Sequence, residues 1–299
     1  MKLGELGGEQ LRERLSTGLI LRTGPFRTSI VSHEELVLRG LAKLYSDFEI
    51  HDGGYCDFHV RVDRVSGLRA VLRPQITFRF DGATPFKPLP ANHAFASLEW
   101  GLNWCIAGHA HHYLMLHAAV LERNGRAVIL PGEPGAGKST LTAALSLSGF
   151  RLLSDEITLI DRDDGLLTPL ARPVNLKNES IEIIRSFAPS AVFGDPAHDT
   201  HKGTVAHLKS SAESVRRAGE KAKPALIVFP RFKLGAATTI RPRSRADAFM
   251  HAATHAFNYE LLGRVGYDLN GALIDQCECF DFEYSSLPDA IRTFSELLS

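Results

Sequence analysis

From Gly132 to Ser139 the chain reads Gly-Glu-Pro-Gly-Ala-Gly-Lys-Ser, which satisfies G-x-x-x-x-G-K-[ST] at every fixed position. Glycines let successive backbone N–H groups turn inward into a concave anion nest that no side chain obstructs. A helix starting near Lys138 points its positive end at the same place. Lys138 can reach β- and γ-phosphates, and the Ser139 hydroxyl can join a Mg²⁺ shell. The flanks agree with this: Ala127 to Leu130 is strand-like, and Gly137 to Leu147 reads as a helix ended by Gly149. The expected nucleotide cradle is Gly132, Glu133, Pro134, Gly135, Ala136, Gly137, Lys138, Ser139 and Thr140.

Such a loop needs a strand–helix frame, and the rest of the chain supplies one. Leu114 to Leu121 and Ala127 to Leu130 read as strands around a turn at Arg123-Asn124-Gly125, since Asn-Gly suits a tight hairpin. Arg151 to Leu153, Ile157 to Ile160 and Ala225 to Phe229 are further strands, and helices are expected at Arg245 to Tyr259 and Pro288 to Leu298. Strands alternating with helices indicate an α/β core from about residue 91 onward. Before it, Gly18 to Thr23, Phe26 to Val31, Asp57 to Val62 and Gln75 to Phe80 have β character, with a helix near Glu34 to Leu44. The prolines of Thr84-Pro85-Phe86-Lys87-Pro88-Leu89-Pro90 exclude a helix interior and mark a linker. Beyond it, Ala91 to Ala110 reads as a helix. The expected organisation is a β-rich α+β domain over 1–90, without a readable motif, and an α/β catalytic domain over 91–299.

A formal net charge of +0 gives no global reason to expect nucleic acid. The charged opening, MKLGELGGEQLRERL, lacks the apolar stretch of a secretory signal. No run of about 18 apolar residues suggests a membrane span. Four cysteines in 299 residues are too few for a disulfide scaffold, and Cys277-Glu278-Cys279 is not a zinc spacing. His109, His111 and His112 read as a polar helix end rather than a metal cluster. A reducing cytoplasm is the expected location.

The acids nearest the loop are Asp155-Glu156, after Gly149-Phe150-Arg151-Leu152-Leu153-Ser154. With His117 in LHAAVLERNGRAVIL, and with Glu179 in PVNLKNESIEII, they resemble the catalytic domain of HPr serine kinase/phosphorylase. The resemblance covers roughly residues 112 to 260 and is strongest up to 160. It implies a P-loop kinase core of the HPr kinase/phosphoenolpyruvate carboxykinase type. It also implies that His117 holds the acid or the γ-phosphate, that Glu179 binds Mg²⁺, and that Arg241 lies in an arginine-containing loop. Members of that family often form hexamers, so a homo-oligomer is an implied state. Three stretches depart from the family pattern. Asp-Glu stands for two Asp, Ser180-Ile181-Glu182 replaces Arg-Gly-Leu-Gly, and the Arg241 loop lacks Gly-Arg-Asn. HPr as acceptor and the reverse reaction are therefore not implied. The chain looks more like HPr-kinase-related proteins, some of which phosphorylate serine in a peptide.

Transfer of a γ-phosphoryl group to a hydroxyl needs charge neutralisation, alignment and a proton acceptor. Lys138 and Mg²⁺ on Ser139 supply the first; Asp155 or Glu156 accepts the proton. Residue type favours Asp155 and strict position favours Glu156. Adjacent strand side chains point oppositely, so one of the two is expected to face the site. Lys202, in a polar loop, and Arg241 and Arg243, whose guanidinium forks match phosphate, are candidate substrate contacts. The leading expectation is an ATP- and Mg²⁺-dependent kinase acting on a serine of a protein or peptide. A small-molecule kinase and a nucleotide-binding regulatory module are the alternatives.

Overall fold

The computed structural model describes residues 1–67, 72–133 and 135–299. It is a mixed α/β fold with several sheets. The first sheet contains β1 (Leu19–Thr23), β2 (Phe26–Ser32), β3 (Ile50–His51), β4 (Phe58–Arg64), β5 (Gln75–Phe80) and β6 (Leu89–Pro90), in the order β3-β1-β2-β4-β5-β6. In β4 the residues Phe58, Val60 and Val62 are buried while His59 and Arg61 are exposed, which is the alternation that revealed the strand. The proline-rich stretch ends in β6, a two-residue strand.

Three helices, Gly8–Thr17, Glu35–Leu44 and Ala94–His109, share one apolar core with this sheet. Leu98, Leu102, Cys105 and Ile106 of the third meet Val60, Val62, Ile76 and Phe78 there. The same core takes in Tyr113, Met115, Ile157, Leu159 and Leu170, so apolar packing continues across residue 90.

The remaining strands are β7 (Tyr113–Leu116), β8 (Ala118–Arg123), β9 (Arg126–Pro131), β10 (Arg151–Ser154), β11 (Thr158–Asp161), β12 (Leu167–Thr168), β13 (Val174–Lys177), β14 (Ala197–Thr200), β15 (Gly203–Leu208), β16 (Lys223–Phe232), β17 (Thr239–Pro242) and β18 (Glu278–Tyr284). Six of them form the sheet β10-β8-β9-β16-β18-β17, in which β9, β16 and β18 run parallel. Two three-stranded sheets, β12-β11-β7 and β13-β15-β14, flank it. Both faces of the six-stranded sheet are covered, and its strands divide their side chains accordingly. Ala119, Leu121, Val128, Leu130, Leu226 and Val228 face the helix Lys138–Leu147 through Leu141, Ala144 and Leu145. Their sequence neighbours Ala118, Val120, Ala127, Ile129, Ile227 and Phe229 face Ala248, Ala252, Leu273 and Ile274.

Two elements differ from the sequence reading. The strand expected over Leu114 to Leu121 is broken at His117, whose backbone N–H donates to the His255 carbonyl at 3.0 Å. That break sends β7 and β8 into different sheets. The helix expected to reach Tyr259 stops at Thr254, because Ala256 bridges to Leu116 and Phe257 N–H donates to Met115 O at 2.9 Å. Helices Tyr259–Leu262 and Arg264–Gln276 follow. The hairpin at Asn124-Gly125 forms as expected, with φ of 55° and 77°. Among the described residues no helix is long and apolar enough to cross a membrane.

Candidate active site

The glycine loop leaves β9 and enters the helix Lys138–Leu147, so buried elements hold both its ends. Gly135 and Gly137 have φ of 88° and 85°, the left-handed region. At Gly137 space is also closed: a Cβ would stand 2.7 Å from Tyr284 Oη and 2.9 Å from Phe232 Cβ. Tyr284 Oη donates to Gly137 O at 3.1 Å, and Phe232 N–H donates to Ala136 O at 3.0 Å. The ends of β16 and β18 thus support the loop from beneath. Gly132 is half-buried, and a Cβ there would make only ordinary contacts. Glu133 is exposed, while Ser139 and Thr140 are half-buried on the first helical turn. Pro134, the remaining residue of the expected cradle, lies outside the described residues.

Lys138 is buried, and its Nζ donates to the Asp155 backbone carbonyl at 2.7 Å. The acidic pair follows β10 in a bend rather than inside a strand, so strand alternation does not separate the two side chains. One residue holds both. Asn175 on β13 donates its backbone N–H to Asp155 Oδ2 at 3.0 Å and its Nδ2 to Glu156 Oε1 at 3.1 Å. Asn103, on the helix Ala94–His109, donates to Glu156 Oε2 at 2.7 Å. The expectation that only one acid would face this region gives way to a pair gripped together.

The two carboxyls differ electrostatically. Burial, and then the charge of Glu156, push the Asp155 carboxyl above its ordinary range against the pull of Lys138. Burial alone would raise Glu156 too, but Lys138, Lys177, Lys202 and the Asn175 hydrogen bond outweigh it and hold that carboxyl low. Asp155 Oδ1 is buried and without a hydrogen-bond partner.

His117 is half-buried within electrostatic reach of this cluster. Burial first, then Lys138, depress its imidazole, with Glu156 opposing. Lys202 is exposed at the surface; partial desolvation and the charge of Lys177 lower its ammonium, again opposed by Glu156. Lys138, Asp155, Glu156, His117 and Lys202 therefore form one electrostatic neighbourhood. Glu179 is the exposed first residue of the helix Glu179–Phe187 and makes no hydrogen bond or ion pair among the described residues. Arg241 and Arg243 belong to the opposite edge of the six-stranded sheet. Arg241 is exposed on β17 and lines a cavity of ≈ 370 Å³ with Phe229, Arg231 and Asp281. Arg243 is committed, pairing with Asp281 Oδ1 at 2.7 Å and lying 4.0 Å over the Phe229 ring. Neither arginine meets the Lys138–Asp155 cluster.

Sequence reasoning missed Asn175, Asn103, Lys177 and Arg172. Arg172 Nη2 pairs with Glu99 Oε2 at 2.6 Å, and its Nη1 donates to Asn103 Oδ1 at 2.7 Å, fixing the amide that reaches Glu156. Behind the acids is a cavity of ≈ 20 Å³ lined by Asp155, Asn175 and His207, each with an unpartnered buried polar atom. It has the size and lining for one water molecule. The signal for Asn175 was present in Pro-Val-Asn-Leu-Lys, as a polar residue between two strand apolars. The signal for Arg172 and Asn103 was not, because their partners lie far away in sequence.

Fold and site together define a mixed α/β protein whose glycine loop ends against a buried acidic pair. No protein-family model matches the chain, and neither does any curated protein. Among solved structures it is similar to the HPr(Ser) kinase/phosphatase from Coxiella burnetii, at 14% identity and a TM-score of 0.29, over 61% of this chain and 94% of that one. Backbones that superpose so loosely give no residue-level correspondence, so the chemistry must come from this chain's own side chains.

Proposed function

We propose that the chain is an ATP- and Mg²⁺-dependent kinase that transfers the γ-phosphoryl group to a serine hydroxyl of a protein or peptide. The observation that carries this reading is the 2.7 Å bond from Lys138 Nζ to the backbone of Asp155, whose own carboxyl is buried and raised. It fixes the lysine of the glycine loop to the backbone of the residue whose carboxyl, raised by burial, would be the general base.

The residues fit both groups. Gly135 and Gly137 take the left-handed backbone that an inward-turned row of N–H groups uses, and a Cβ at Gly135 would meet only open space, so the loop suits a phosphate. Ser139 would offer Mg²⁺ a hydroxyl and Glu179 a carboxylate, as the sequence suggested, and Glu156 is a further carboxylate; these are the hard oxygen ligands that Mg²⁺ takes. When bound, Mg²⁺ would neutralise charge on the β- and γ-phosphates. Lys138 would exchange the Asp155 carbonyl for phosphate oxygens. Asp155 would take the serine proton as the hydroxyl attacks, while Glu156, held ionised by three lysines, would orient the site. Lys202 would contact the transferred group or the acceptor, and His117, whose imidazole burial and Lys138 depress, would donate a hydrogen bond to either.

The test is incubation with γ-labelled ATP and Mg²⁺ over a panel of serine peptides, proteins, sugars and nucleosides. Label on serine, lost in Lys138→Ala, is expected. Label on a sugar or nucleoside would assign a different acceptor class, and full activity in Lys138→Ala would remove the loop from the mechanism.

A further inference from the structure

On the other side of the glycine loop, Glu133, His251 and His255 bring their ligand atoms within 4.8 Å of one another. The two histidines are four residues apart at the end of the helix Arg245–Thr254, with rings stacked at 4.1 Å and 13°. His255 Nδ1 lies 2.9 Å from the His251 backbone carbonyl. A carbonyl only accepts, so Nδ1 carries the proton and Nε2 of the neutral ring presents a lone pair. That Nε2 stands 2.9 Å from Glu133 Oε1, another acceptor. Two acceptors so close need a cation between them, either a proton on the ring or a metal ion. Beside them His251 Nε2 is buried with no hydrogen-bond partner.

We propose that Glu133, His251 and His255 form a binding site for a divalent transition metal ion of the Zn²⁺ class, clamping the glycine loop to the helix Arg245–Thr254. Two imidazoles and a carboxylate suit Zn²⁺ better than Mg²⁺, which prefers an all-oxygen shell. The His255 Nδ1–carbonyl bond is the outer-shell contact that orients metal-bound histidines. Tetrahedral donors bound at about 2.0–2.1 Å stand about 3.3–3.4 Å apart, so a pair within 4.8 Å closes by at most about 1.5 Å, shared between two side chains. A three-residue set leaves a further position for water or another ligand. This site is separate from the proposed Mg²⁺ ligands and does not depend on the kinase reading.

The full chain, stripped with chelator and kept free of nucleotide, would be titrated with Co²⁺ by absorption spectroscopy and with Zn²⁺ by calorimetry. One saturable site with ligand-field bands of a four- or five-coordinate Co²⁺ is expected. Removing an outer-shell partner already weakens such sites by about 10–100-fold, so His255→Ala and His251→Ala should lose at least about 100-fold in affinity. Glu133→Gln, on an exposed side chain, should lose at least about tenfold and cannot be mistaken for misfolding. His33→Ala, at an exposed histidine elsewhere, should bind as the parent does. Absence of a saturable site, or affinity unchanged in both Glu133→Gln and His255→Ala, would overturn the proposal.

Discussion

Asp155 and Glu156 are adjacent in sequence, yet their surroundings push their protonation in opposite directions. Only an ionised Asp155 can accept a proton, so transfer should fall as pH drops through its raised value. Glu156→Gln removes a charge that raises Asp155, so the acid limb of the pH–rate profile should move to lower pH. An unmoved limb would take Asp155 out of the base role. The same raised value has a consequence for stability. A carboxyl whose folded pKa exceeds its unfolded one contributes stability at low pH that is lost as pH rises through the folded value. Asp155→Asn cannot ionise, so its urea midpoint should increasingly exceed that of the parent as pH rises. Activity should move the other way, since loss of a general base costs roughly 10²–10⁴-fold. Greater stability with less turnover is the expected signature of a functional buried charge.

The glycine loop depends on elements distant in sequence. Gly137→Ala would force a left-handed alanine against Tyr284 and Phe232, costing about 2–4 kcal/mol and shifting the loop. Denaturant unfolding and nucleotide titration of that variant should both show losses, whereas normal values in both would refute the packing argument. What was legible in the sequence follows the same division. Local rules were enough for the loop, the following helix, the Asn124-Gly125 hairpin and the alternating strands. They failed at His117 and at Thr254, where pairing between Leu116 and Ala256 overrode propensity. They failed again for the acidic pair, because alternation applies to strands and the pair lies in a bend. Asn175 and Lys177, two apart on one strand, were the missed site residues with a local mark. Asn103 and Arg172 act through contacts about 53 and 73 residues away in the chain, which no local pattern encodes.

At the scale of the molecule, the site and the end of the helix Glu35–Leu44 are tied by a buried polar chain. Tyr45 Oη donates to Glu99 Oε1 at 2.6 Å, Glu99 pairs with Arg172, Arg172 holds Asn103, and Asn103 reaches Glu156. Arg172→Met strands Glu99 in a buried setting and should destabilise by about 3–5 kcal/mol. The apolar core that crosses residue 90 leads to a related expectation. Trp100 and Trp104 both lie on the helix Ala94–His109, so their fluorescence and far-ultraviolet dichroism should report one coincident unfolding transition. Two separated transitions would instead support independent units divided near residue 90. The most direct test of the central claim compares ATP binding with phosphoryl transfer in the parent chain and in Asp155→Asn. Nucleotide affinity in Asp155→Asn should stay within about threefold of the parent, with transfer reduced by roughly 10²-fold or more. A parent chain that binds no ATP, or a variant that transfers at the parental rate, would contradict it.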